Sequence, residues 1–187
     1  MRILAISGSL RRASHNTALL RAAAGLAPEG VEVELFEGLD RLPPYNEDHD
    51  TDDAPAEVEQ LREEIGAADA VLFSTPEYNG TLPGQLKQAV DWGSRPHGQA
   101  SALWGKPVAV IGASVTDYGA IWAQDHLRKA LGLAGARVLD VELPIPKAAN
   151  QFDAEGELTD GEIRDRLASF ISDFVDHANT LLPTASR

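Results

Sequence analysis

The chain has 187 residues, 43% hydrophobic and 24% charged, with 16 basic residues against 29 acidic for a net charge of −13. That length suits one domain with its own core, and the composition excludes a disordered or collagen-like chain. The negative field repels nucleic acid and anionic lipid surfaces, and the lack of cysteine excludes disulfides, thiolate metal sites and cysteine nucleophiles. No apolar run approaches the roughly 20 residues of a membrane helix. The amino terminus MRILAISGSL lacks a secretory leader, so a cytoplasmic location is the expectation.

In chain order, the first element is RILAIS (2–7), a short run rich in isoleucine and leucine that reads as a strand buried on both faces. Further strands are expected at VEVELF (31–36), AVLFST (70–75), PVAVIGA (107–113) and ARVLDVEL (136–143), with helical spacing between and after them at 16–27, 55–66, 83–93, 119–132 and 160–181. In the last helix Ile163, Leu167, Phe170, Ile171, Phe174 and Ala178 share one stripe, which is a core face. Strict strand–helix alternation predicts an α/β, flavodoxin-like three-layer fold: a five-stranded parallel sheet in the order 2-1-3-4-5 with helices on both faces. One domain is expected over 1–182, with a frayed tail at 183–187, and Trp92, Trp104 and Trp122 are expected to pack in the core, with subunit contacts as the alternative.

Such sheets bind ligands at the carboxyl ends of their strands, where the strand order reverses. The loops after strands one, three and four are therefore the places to look. The first, GSLRRASHNT (8–17), lacks both the Gly-Lys-Ser/Thr of a Walker loop and the glycines of a dinucleotide fingerprint, since Leu10 and Ala13 stand where those glycines belong. Its hydroxyl, amide and guanidinium groups, on Ser9, Ser14, Asn16, Thr17, Arg11 and Arg12, suit a compact phosphomonoester dianion at a helix start. The plainer alternative is that Ser14 or Asn16 caps the helix.

The second loop, PEYNGTLPG (76–84), carries the turn dipeptide Asn79-Gly80 beside Tyr78, and Pro83 suits the first turn of the next helix. It reads as a seat for a planar, polar-edged ring, or as an ordinary turn with a surface tyrosine. The third, GASVTDYG (112–119), offers small residues that admit a ring close to the backbone. The acidic run NEDHDTDD (46–53) imitates a calcium loop through Asp48, Asp50, Asp52 and Glu59, but Asp53 replaces the required glycine and Pro55 follows, so no calcium site is expected. The five histidines show no zinc spacing and no metal is expected; His15 is singled out because its place in the first loop offers the phosphate one more donor.

These loops, together with LPPYNED (42–48), resemble the NADPH-dependent FMN reductase family, which includes quinone, chromate and azo-dye reductases. The resemblance implies the same flavodoxin-like fold, usually as a homodimer or homotetramer, with FMN at the carboxyl edge of the sheet. Ser9, Arg11, Ser14, Asn16 and Thr17 would then hold the FMN phosphate. Pro76, Glu77, Tyr78 and Asn79 would seat the isoalloxazine, and Ser114 would flank it. In one place the chain departs: many relatives carry a double glycine and an arginine before an Ala-Gln pair, whereas Gly119-Ala120-Ile121-Trp122 precede Ala123-Gln124 here.

The implied activity is an oxidoreductase with ping-pong transfer of reducing equivalents from NADPH or NADH, through FMN, to a quinone, flavin, azo dye or chromate. The cofactor carries this chemistry, so no catalytic acid or base is nominated. One rival remains in view, and a second is discounted. A flavodoxin-type electron carrier fits the acidity, while a signalling receiver domain would need aspartates where Ser7 and Thr75 stand.

Overall fold

Strand β1 (Arg2–Ser7) pairs in parallel with β2 (Glu32–Leu35) on one side and β3 (Ala70–Thr75) on the other. Strand β4 (Pro107–Ala113) lies beyond β3, and its far edge is shared by β5 (Arg137–Val138) and β6 (Leu143–Ile145). The sheet order is thus the expected 2-1-3-4-5 with a sixth strand added. The computed structural model describes residues 1–51 and 53–182; the stretch 183–187 and Asp52 of the acidic run lie outside the described residues. Among the described residues no helix is long and apolar enough to cross a membrane.

Alternate residues of the strands feed two cores. Ile3 and Ala5 pack under α1 (His15–Gly25) and α5 (Gly161–Leu181), where Leu19, Leu20, Phe170 and Phe174 are buried. Leu4 and Ile6 face the opposite layer, α2 (Ala56–Ala67), α3 (Gly84–Gly93) and α4 (Ile121–Leu133), which supplies Leu61, Leu86, Trp92 and Leu127. The period of two along each strand is what sends neighbours to opposite cores.

Three expectations need correcting. The run 136–143 does not form one strand. Asp140 and Glu142 would share one face of it, which the helices would bury, and both carboxylates instead leave the ladder for Arg128 on α4. Pro144 in β6 is tolerated because β6 is at an edge. Strand β2, also an edge, is not buried on both faces: Glu32 and Glu34 are exposed, and Glu34 pairs with Arg2 at 2.6 Å. Of the tryptophans only Trp92 is core, its Nε1–H donating to the Pro43 carbonyl at 2.9 Å, while Trp104 and Trp122 are 46% and 48% exposed. Trp104 lies over Gly135, which leaves the ring no room to sink further. In the acidic run Asp50 forms an ion pair with Arg62 at 2.7 Å.

The carboxyl edge is held by one side chain. After Thr75 comes Pro76, which has no N–H to offer a ladder, and β3 stops. Strand β4 runs one residue further: Thr75 faces Gly112, so Ala113 has no strand partner on that side. Asn16, in the first turn of α1, fills the place. Its Nδ2 donates to the Ala113 carbonyl at 3.0 Å, and its Oδ1 accepts from the Ala113 N–H at 3.0 Å and from Ser74 Oγ at 2.8 Å. At 3% exposure no water replaces these bonds. Since each buried polar group left unpaired costs about 1–3 kcal/mol, Asn16→Ala is expected to lose about 3 kcal/mol of unfolding free energy in urea at unchanged slope. A loss below about 1 kcal/mol would mean that the bracket is dispensable.

Candidate functional site

The three loops meet above β1, β3 and β4 in a cleft of about 170 Å³. Ser9, Arg11, Ser14, His15 and Asn16 form one end, and Pro76, Glu77, Tyr78, Ser114 and Val115 the other. The first loop reaches it through Gly8, whose N–H donates to the Ser74 carbonyl at 2.7 Å. A Cβ on Gly8 would come within 2.7 Å of Leu86, so the turn can pass that close only as glycine.

Ser14 is the N-cap of α1, its Oγ accepting from the Thr17 N–H at 3.2 Å. Capping uses a lone pair and leaves the Ser14 hydroxyl hydrogen to donate, so the capping and phosphate readings are compatible. The N–H groups of His15 and Asn16 start the helix and have no intrahelical acceptor. Together with the Ser9 hydroxyl and the Arg11 guanidinium they form a donor set that fits a phosphomonoester. Burial, and then Arg11 beside it, hold the His15 imidazole below its ordinary pKa.

The second loop is a two-residue hairpin. Tyr78 and Thr81 exchange backbone hydrogen bonds at 3.0 and 3.2 Å, with Asn79 and Gly80 both left-handed at φ 51° and 75°. That is the type I′ turn that Asn-Gly favours. Tyr78 therefore stands on the rim, 51% exposed, facing Val115 of the third loop, 64% exposed.

Glu77 joins the second loop to the third. Helix α4 begins after Ala120, a left-handed residue with no side chain able to cap it. The Glu77 carboxylate serves instead, accepting from the Trp122 and Ala123 N–H groups at 3.1 and 3.2 Å. A carboxylate there also answers the positive end of the helix. Ser114 is tied to β6 through its N–H to the Ile145 carbonyl at 3.1 Å.

Three of the residues singled out from the sequence stand apart from the cleft, and the first, Arg12, lines a separate cavity with Asp153 and Glu155. Thr17 bonds Ser7 Oγ at 2.8 Å and lines a neighbouring cavity, and Asn79 is at the hairpin tip. Asn16 is present, but its amide is mostly committed to Ser74 and Ala113. Sequence reasoning missed Val115, the bridging role of Glu77 and the packing of Phe152 on His15; a lone aromatic in the polar run around 148–157 is the only local hint of the last. Another cavity, of about 330 Å³, lies at the other edge of the sheet between the carboxyl ends of α3 and α4. There Lys87 pairs with Asp91, and Arg95 donates to the Tyr45 hydroxyl and lies over its ring.

A family model described as NADPH-dependent FMN reductase matches residues 1–150. An NAD(P)H-dependent FMN reductase of Pseudomonas aeruginosa is 46% identical over 166 residues, 88% of each chain. A quinone reductase of Pseudomonas putida is 40% identical over 92% of this chain and 91% of its own. Among solved structures, the flavoenzyme NAD(P)H:(acceptor) oxidoreductase FerB from Paracoccus denitrificans aligns with a TM-score of 0.87 at 38% identity, covering 96% of this chain and 98% of that one. Loop motifs, strand order and these relatives agree, and the chain belongs to the NADPH-dependent FMN reductase family.

Proposed function

We propose that this chain is an FMN-dependent NAD(P)H oxidoreductase that passes reducing equivalents to quinones and similar small acceptors. The observation that carries the reading is the cleft itself: a phosphate-type donor set at one end and a rigid hairpin beside an open aromatic rim at the other. FMN held there would supply the redox chemistry that links the nicotinamide to the acceptor.

The chain's own residues bind and orient. Ser9, Arg11, Ser14 and the first-turn N–H groups of α1 take the phosphate, with Asn16 holding that turn against β3 and β4. Thr17, through Ser7, steadies the same turn. Pro76, Glu77 and Tyr78 form the ring seat, and at the hairpin tip beside it the Asn79 and Gly80 N–H groups have no protein acceptor among the described residues. Ser114 flanks that seat, and the rim of Tyr78 and Val115 leaves room above it for a planar partner.

The reading extends to a cytoplasmic homodimer or homotetramer, supported by the exposed Trp104, Trp122 and Leu133. Planar acceptors such as quinones suit an apolar rim, and no compact basic cluster distinguishes NADPH from NADH.

The decisive experiment is anaerobic. Protein loaded with FMN is mixed with NADPH while the blue flavin absorption band is followed. Bleaching, then recovery on adding a quinone, is the expected result; a band that persists with NADPH but falls with dithionite would identify an electron carrier instead. In the same assay format, Arg11→Ala is expected to weaken FMN binding about 10- to 100-fold, the worth of one charge-assisted hydrogen bond, with the apoprotein's melting temperature little changed. Glu77→Ala should uncap α4 at a cost of about 1–2 kcal/mol, and thermal melts should show Glu77→Gln recovering much of it, because the amide oxygen still accepts.

A further inference from the structure

His15 opens α1 and lines the cleft beside Ser9, Arg11 and Ser14. Its ring stacks on Phe152, with centroids 5.6 Å apart and planes 23° from parallel. Phe152 is only 8% exposed and is bridged to Leu158, so the surface behind the imidazole is fixed. Neither ring nitrogen bonds any described residue of the chain, so both are available to a ligand.

The charges around the ring come from every neighbouring segment. Arg11 and Arg12 stand on its own loop and Arg21 further along α1, while Asp153 and Glu155 come from the segment that carries Phe152. Glu77 faces it across the cleft, but that carboxylate is engaged by the Trp122 and Ala123 N–H groups. With no anion beside it, partial burial and then Arg11 disfavour a positive charge on the imidazole. A dianion among the same donors reverses that balance.

We propose that His15 is a proton-linked phosphate-binding residue, so that the chain takes up a proton when it binds FMN and holds the cofactor more tightly as the pH falls toward the acid side of neutrality. The proposal rests on the reading of the first loop as a phosphate seat. His15 supplies what Ser9 and Ser14 cannot: a donor whose charge appears only when the anion is there.

The sign follows from linkage. If the ring's pKa is higher in the complex than in the free protein, affinity gains in the pH range between and below those values, and nothing is gained well above them. The phosphate's own second proton, with a pKa of about 6, acts in the opposite direction, so the comparison must be between variants.

The test measures FMN and riboflavin dissociation constants for the wild type and for His15→Phe, which keeps an aromatic ring on Phe152. The ratio of the FMN constants, variant over wild type, should be near one at about pH 8.5 and rise to about tenfold at about pH 5.5, as a shift of one pKa unit gives. Riboflavin, lacking the phosphate, should show a flat ratio. FMN curves that stay parallel for the two proteins overturn the role of His15. Equal affinity for FMN and riboflavin in the wild type overturns the phosphate seat itself, and the two failures are thereby distinguished. Should His15→Phe fold poorly, calorimetry of the wild type in buffers of different ionisation enthalpy decides: net proton uptake at about pH 7 with FMN but not riboflavin is expected, and none or a release refutes the proposal.

Discussion

A side-chain amide standing in for a piece of strand is the contact on which the carboxyl edge of this sheet depends. Pro76 ends β3 one residue before β4 ends, and Asn16 supplies the missing donor and acceptor from the neighbouring helix. The same residue fixes where α1 begins, and so where Ser14 and the free first-turn N–H groups stand. A proline required for one purpose, the rigid start of the second loop, thereby creates a vacancy that the first loop fills. Geometry at both ends of the cleft is set by one shared bracket.

Local and global electrostatics oppose each other in this molecule. A chain with a net charge of −13 repels anions at long range, yet its candidate ligand is anionic. On the proposed reading, binding would fall to short-range groups in the cleft: Arg11, two serine hydroxyls and oriented N–H dipoles, which act over a few ångströms where screening and the distant field count for little. Glu77 is kept from spoiling this arrangement because the start of α4 claims its carboxylate.

Much of the fold was legible because it is written in local periods. Helices α3, α4 and α5 begin and end within two residues of their expected bounds, and the strand order follows from alternation and handedness. The three loops were legible for the same reason: Asn79-Gly80 names its own turn, and Ser14 its own cap. What escaped was long-range. Nothing near Glu77 says that it caps a helix 45 residues away, nothing near Asn16 says that it completes β4 at a separation of 97, and nothing near His15 names Phe152. The fifth strand failed for a related reason, since apolar spacing hid two carboxylates that only Arg128 on a different element could satisfy.

The Asn16 bracket also bears on synthesis at the ribosome. The first loop is made early, but its anchor, Ala113, is made 97 residues later, and the Ile145 carbonyl that ties down Ser114 later still. A nascent chain that stops short of β4 has the first loop without the structure that shapes it. A first loop anchored in this way is thus reserved for chains whose sheet has been made through β4.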